Sequence, residues 1–429
     1  MDRRNFIGTS IAGVGAASLL GRASFAGGAD RMRVGLVGCG GRGTGAAFNA
    51  ASASPEIEIA AMADLFPDRL ASSREHLEKL GDRVSVTDED CTVGWDAYQR
   101  LMARPDIDLV ILATPPHFRP MHFEEAIAQG KHVFMEKPVA VDPAGVRQVI
   151  AAAKEADTRK LSVVSGTQRR HEACYLDAMA RIRDGEIGEP VAARCYWNQG
   201  GLWNHARQSD WTDMEWQLRN WLYFTWLSGD HITEQHVHNI DATNWALGNH
   251  PIRCMGMGGR QSRTQPRFGH GYDHFAIDYE YPGGVHALSM ARQIDGSANR
   301  VEEVIQGTKG RSVTSSGRAR FEGDRTWAFE GDNPNPYVVE HQDLHASIRG
   351  DGQRLNEGKR IAESTMTAIM GRMSAYSGKE LTWDEALNSP LDMRPPAYAF
   401  MALPVPIVST PGRTSPHDTL WNFEESSNG

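Results

Sequence analysis

The sequence predicts an α/β protein: an N-terminal doubly wound parallel sheet of the Rossmann type, followed by a second α/β region. Three observations predict it. From residue 33, short apolar runs alternate with helical stretches, the rhythm of strand–helix–strand units. A glycine-rich loop, "GCGGRG" (38–43), stands directly after the first apolar run. Beyond residue 270 the pattern changes to paired strands around Pro-Gly-Gly and Thr-Lys-Gly, the mark of hairpins.

Residues 1–26 read as an export signal and not as part of the fold. Arg3 and Arg4 precede the apolar, small-residue run "IGTSIAGVGAASLLG", and Ala26 ends a small-residue cleavage site. The paired arginines point to the twin-arginine route and a periplasmic or otherwise exported protein. The run is too short and glycine-rich for a stable membrane span. The 5 cysteines are odd in number and form no C-x-x-C pair, so no disulfide framework is indicated. Of the 429 residues 40% are hydrophobic and 23% charged, which suits a globular chain of two domains. A formal net charge of −9 without a basic block argues against nucleic acid as a partner.

The first strand is "RVGLVG" (33–38), and the helix after it opens on the glycine loop. Gly38 allows the tight turn, Gly40 lets a pyrophosphate approach the backbone, and Gly43 lets helix and strand pack closely. Gly41 and Arg42 share that loop, where free N–H groups at the helix start favour phosphate. The second strand, "EIEIAAMAD" (56–64), ends on Asp64, 21 residues after Gly43. A carboxylate there bonds ribose hydroxyls and repels a 2′-phosphate, so NAD is expected over NADP. "DLVILAT" (108–114), "KHVFMEK" (131–137) and "KLSVVSGTQ" (160–168) continue the series. Ligands bind at the carboxyl edge of such a sheet, which makes Thr114, His117 and Gln168 candidates for the nicotinamide side. The hairpins come from 274–293 and 301–314, helices return near 338–350 and 359–377, and Thr382–Glu385 forms a capping box.

Together "GLVGCGGRG" (35–43), "ADLFPDR" (63–69), "ATPPHFRPMH" (113–122) and above all "GKHVFMEKPVAV" (130–141) resemble the Gfo/Idh/MocA oxidoreductase family. "GEIGEPVAARCYW" (185–197) and "GDHITEQHVHNIDATNWALG" (229–248) extend the resemblance over roughly residues 31–385. It implies an NAD-binding Rossmann domain at 31–168 and a substrate domain at 169–389 with a large, mostly antiparallel open sheet. Residues 390–429 are left as an irregular tail. The open sheet commonly forms a subunit interface in that family, so a homo-oligomer is expected.

The resemblance points Lys137 at the nicotinamide and the reacting hydroxyl, with Glu136 beside it at the cofactor. An amine held near a positive nicotinamide ring gives up its proton more readily, which suits exchange with a hydroxyl during hydride transfer. The family often shows Asp-x-x-x-His-x-x-Asp in its active-site helix. Here Glu234, His238 and Asp241 occupy those places, one methylene longer at the first, on one expected helical face. His238 is expected as the second proton-transfer group, Glu234 as its orienting or sugar-bonding acid, and Asp241 at the substrate. His236 is expected in the core. His231, Glu234 and His238 also have ligand spacing, but the likeness is to oxidoreductases without a metal and none is expected. Arg169 is a candidate for substrate oxygens. Trp197 or Trp203, within a Trp-rich stretch, suits the apolar face of a sugar.

Export sharpens the functional expectation. No NAD pool reoxidises NADH outside the cytoplasm, but a chain exported folded can carry its cofactor with it. A sugar or polyol oxidoreductase that regenerates tightly held NAD is the first expectation. The second is a redox-neutral glycosidase like glycoside hydrolase family 109, where transient C3 oxidation permits elimination. That branch differs from Glu-Lys-Pro at the lysine, so Lys137 favours the dehydrogenase group. A non-catalytic sugar sensor is the third, against which a Lys137–His238 pair argues.

Overall fold

The computed structural model describes residues 31–417 and 421; the expected export signal lies outside them. Among the described residues a parallel sheet holds β1 (Met32–Val37), β2 (Ile57–Asp64), β3 (Cys91–Val93), β4 (Leu109–Leu112), β5 (His132–Met135) and β6 (Val163–Ser165). Their order is β3-β2-β1-β4-β5-β6. The central strands are continuous apolar runs because helices cover both faces; Val34, Leu36, Val110, Ile111, Val133 and Phe134 are all fully buried. Strand order reverses between β1 and β4, which opens a crevice at their carboxyl ends. β3 is absent from the sequence reading because its three residues are half-exposed and show no apolar run.

The second sheet contains β7 (Pro190–Gln199), β8 (Arg253–Gly259), β9 (His274–Tyr281), β10 (Val285–Gln293), β11 (Arg300–Gly307), β12 (Gly310–Ser315), β13 (Arg318–Gly323), β14 (Trp327–Ala328) and β15 (Glu380–Thr382). It runs β14-β13-β12-β11-β7-β10-β9-β8-β15, antiparallel except between β7 and β10. The β9–β10 turn needs positive φ at Gly283 (82°) and Gly284 (77°), as Pro-Gly-Gly foretold. One face carries helices; the other is open and exposes Met255, Met257 and Leu288.

The helix Gly358–Ser377 joins the two lobes. It is buried along most of its length because it packs on β8 and β9 and also against the Rossmann helix Pro143–Thr158. Gly371 is required there, since a Cβ would meet the Tyr279 hydroxyl at 2.1 Å. Arg372, fully buried, donates to the carbonyls of Gly229 (2.9 Å) and Val141 (2.8 Å), one from each lobe. No helix among the described residues is long and apolar enough to cross a membrane. Residues 390–417 form no helix or strand. They pack across the first lobe, where Phe400 meets Trp95 (5.5 Å) and Phe66 (5.9 Å).

Candidate active site

The crevice at the carboxyl ends of β1, β2 and β4 opens into a cavity of about 400 Å³ lined by the glycine loop, Asp64, Arg69 and Thr114. The loop's shape follows from its glycines. Gly38 has φ +96°, and a Cβ there would meet the Thr114 nitrogen at 2.5 Å. A Cβ on Gly43 would stand 1.8 Å from the Gly38 carbonyl oxygen. At Gly40 the constraint is of another kind: the nearest atom to a Cβ is an Arg69 nitrogen at 3.7 Å, so a side chain would project into the cavity. Gly40 also N-caps the helix Gly41–Ala53 without any side chain covering its first N–H groups. This cradle fits a dinucleotide pyrophosphate. Asp64 accepts from the Cys39 (2.6 Å) and Phe66 (2.8 Å) nitrogens, and burial pushes its carboxyl up from the ordinary value. Those two bonds hold it at the cavity wall and leave lone pairs for ribose hydroxyls.

The second lobe lines one side of this cavity. Trp203, His205, Leu218 and Trp221 form part of its wall. The helix Asp213–Arg219 is tied down by Arg219, which forks onto Asp68 (2.9 and 3.0 Å) and lies 4.0 Å from the Phe66 ring centre. The C-terminal segment laces the same helix: the Met214 nitrogen bonds the Met401 carbonyl (3.1 Å), and Gln217 Nε2 bonds the Leu403 carbonyl (2.7 Å). Trp203 therefore belongs to the cofactor enclosure, not to a sugar platform beside Lys137.

Lys137 follows β5 and precedes a cis peptide bond to Pro138. Its Nζ donates to the Glu234 main-chain oxygen (2.6 Å) and to Glu234 Oε1 (3.0 Å). His238 stacks on Trp197, ring centres 5.7 Å apart. Burial, with Lys137 and Arg169 nearby, holds the His238 imidazole well below its ordinary value, so it is neutral at pH 7. Three buried polar atoms of this group lack any protein partner, Trp197 Nε1, Glu234 Oε2 and His238 Nδ1, and so does Gln168 Oε1 after β6. Buried polar atoms are normally bonded, so this mixture of donors and acceptors is ready for a polyhydroxylated ligand.

Several expected residues sit elsewhere. His117 does not line the cavity; its Nε2 pairs with the Tyr398 hydroxyl (2.8 Å), and burial lowers it to about 4. His122, from the same stretch, lines the cavity, 3.2 Å from the Thr114 hydroxyl. The Arg42 backbone belongs to the loop, but its Nε donates to Glu136 (2.5 Å). Arg42 Nε and Glu136 Oε1 are thus committed to each other, while Arg42 still lines the cavity. Buried Glu340 adjoins them 3.5 Å from Arg42; burial, then Glu136, drives its carboxyl well above the usual range. Arg169 is fully buried and committed to Glu303, behind Trp197.

Asp241 is also withdrawn from substrate. It accepts from Arg170 (2.8 and 3.0 Å), Arg360 (3.1 Å) and Ser364 (2.8 Å). Burial opposes its ionisation, yet Arg170 and Arg360 hold its carboxyl well below the usual range. The expected single helix is broken: His231–Glu234 and Val237–Leu247 are separate pieces, so Glu234 and Asp241 diverge. His231 packs on Phe275 (5.1 Å). Among the described residues no three His, Cys, Asp or Glu side chains are grouped to hold a metal ion. Sequence reasoning missed the enclosing His205 and Trp221; the density of Trp around 197–245 was the available signal, assigned to sugar instead of cofactor.

A glycine cradle, a ribose-side carboxylate and a lysine at the carboxyl edge of the sheet define a dinucleotide-binding oxidoreductase. The model of the oxidoreductase family with an NAD-binding Rossmann fold matches residues 32–165, and that of the GFO/IDH/MocA C-terminal domain matches 175–313. The chain belongs to the Gfo/Idh/MocA family. It is 28% identical over 221 residues to a 2,7-anhydro-N-acetylneuraminate hydratase of Escherichia coli K12, covering 51% of this chain and 54% of that protein. It is 24% identical over 231 residues to an inositol 2-dehydrogenase of Acidothermus cellulolyticus (54% and 58%). A glycosyl hydrolase family 109 protein of Phocaeicola vulgatus is 27% identical over 202 residues (44% and 34%). The chain thus spans from a third to somewhat over half the length of these relatives. The fold resembles aldose-aldose oxidoreductase from Caulobacter crescentus complexed with glycerol, with TM-score 0.66, 20% identity, and coverage of 82% of this chain and 99% of that one.

Proposed function

We propose that this protein is an exported oxidoreductase that acts on a carbohydrate hydroxyl or ketone and keeps its NAD through the catalytic cycle. The observation that carries the reading is Lys137, paired with Glu234 at the carboxyl edge of the sheet and grouped with the buried, unpartnered Glu234 Oε2, His238 Nδ1 and Trp197 Nε1. NAD, when bound, supplies the hydride acceptor. The chain's own part is binding and proton transfer. The Gly38–Gly43 cradle and Asp64 hold the dinucleotide. Trp197 offers an apolar face to the sugar, and Gln168 and His238 bond its hydroxyls. Lys137 takes the proton of the reacting hydroxyl; Glu234 orients it and can receive that proton in turn.

Retention of the cofactor rests on the wall built by Trp203, His205 and Trp221. It also makes room for a second reading, in which oxidation and reduction fall on one sugar and the net reaction is elimination or hydrolysis. The names of the hydratase and family 109 relatives favour that version; Lys137 favours the dehydrogenase. Purified protein, denatured and analysed by mass spectrometry, is expected to release NAD. A panel of sugars and polyols is expected to reduce it, read at 340 nm. Nitrophenol release from p-nitrophenyl glycosides without added NAD selects the redox-neutral version. Protein that neither carries NAD nor binds it when added defeats both.

A further inference from the structure

We propose that Asp230 is the positioning residue of the Lys137–Glu234 pair, acting through the backbone conformation that its carboxylate enforces. Asp230 has φ 67° and ψ 165°, a region that is essentially reserved for glycine. It is completely enclosed, directly after Gly229. Only Lys160 shares a positive φ among the described non-glycine residues. The carboxylate gathers donors from three elements. Oδ1 accepts from the His231 nitrogen (2.7 Å), and Oδ2 accepts from the Tyr272 nitrogen (2.7 Å) and the Tyr376 hydroxyl. Gly271 permits this approach, since a Cβ there would stand 3.0 Å from Oδ1.

The same residue begins the helix that carries the acid. Its carbonyl accepts from the Thr233 (3.0 Å) and Glu234 (2.9 Å) nitrogens. Glu234 then offers both its main-chain oxygen and Oε1 to Lys137. One residue thus fixes the start and the direction of a single helical turn whose last carbonyl holds the amine. A buried carboxylate with satisfied partners does not by itself require this backbone; the glycine-like φ and ψ, carried by an aspartate exactly one turn before Glu234, are what tie it to the pair.

The effect on turnover rests on the function proposed above, so the test includes a readout free of it. Trace acetylation with acetic anhydride, followed by peptide mass spectrometry, measures the reactivity of Lys137. Lys131, which donates to the Arg104 and Ile107 carbonyls, is the internal reference. Asp230→Ala is expected to acetylate Lys137 several-fold faster relative to Lys131, and Asp230→Gly, which adopts the conformation freely, is expected to return most of the way. With a sugar that turns over, kcat of Asp230→Ala falls about 10²-fold with little change in KM, and Asp230→Gly rescues it. A folded Asp230→Ala with wild-type Lys137 reactivity overturns the proposal, as does Asp230→Gly reacting as fast as Asp230→Ala. If Asp230→Ala does not fold, Tyr376→Phe removes one donor and is expected to change the reactivity in the same direction; an unchanged value overturns the proposal equally. If no sugar turns over, the proposed function fails and the labelling still decides the role of Asp230.

Discussion

Replacing Arg219 by alanine should turn a retained cofactor into an exchangeable one. Arg219 joins the enclosing helix Asp213–Arg219 to Asp68 in the first lobe, and its guanidinium also lies against the rings of Phe66 (4.0 Å) and Trp211 (5.0 Å). Asp68 is more than half exposed, so the ion pair is worth at most about 0.5–1 kcal/mol despite its forked geometry. The ring contacts add about 0.5–1 kcal/mol. If the cofactor leaves only when this segment lifts, the closed state loses about 1–2 kcal/mol and release speeds up by about 5- to 30-fold. The assay is displacement: protein loaded with NADH is mixed with excess NAD, and the decay of NADH fluorescence is followed. Asp68→Ala removes only the exposed pair and should give a smaller acceleration, about 2- to 5-fold. The double variant should add little, because both changes cut one contact. A release rate in Arg219→Ala within twofold of wild type, in protein of unchanged melting temperature, refutes the latch.

Two further predictions concern the site and its support. Lys137→Ala should lower turnover by about 10²–10⁴ while leaving NAD bound, since among the described residues Nζ bonds only Glu234; an unaffected rate would make the lysine merely a partner for that acid. His171 is buried, which lowers its affinity for a proton, but Asp343 (2.6 Å) and Glu357 outweigh this and raise it to about 9. A raised histidine stabilises fully below its unfolded value near 6.5 and loses that contribution as pH climbs through about 9, on the order of 3 kcal/mol in all. Urea midpoints of wild type and His171→Ala should therefore lie far apart at pH 6 and converge toward pH 9.5; a constant gap contradicts the assignment.

What the sequence disclosed is what local chemistry dictates. The strand runs, Gly38 and Gly43, the Pro-Gly-Gly turn and the Thr382–Glu385 cap each follow from a backbone requirement that a few neighbouring residues satisfy. What stayed hidden depends on contacts between distant residues. The spacing of Glu234, His238 and Asp241 suits one helical face, but spacing does not show that the helix breaks at Gln235–His236. Nor does it show that Arg170 and Arg360, 71 and 119 residues away, claim Asp241. His117 and His122 look alike in "PPHFRPMH"; Tyr398, from the far end of the chain, draws the first away and leaves the second at the cavity.

The enclosure changes how the aromatic stretch should be understood. Trp residues near a carbohydrate enzyme's cleft suggest sugar stacking, and Trp197 beside His238 fits that role. Trp203 and Trp221 do not, because they share a wall with the glycine loop and Asp64. An enzyme that exchanges its nicotinamide in every turnover has to open a second-lobe wall over that end in each cycle, a step that can limit its rate. An enzyme that reoxidises its cofactor in place loses nothing by it. On the proposed function, the segment that lines the dinucleotide cavity and the acid that holds Lys137 would serve one design: NAD would stay, and the substrates would alternate beside the lysine.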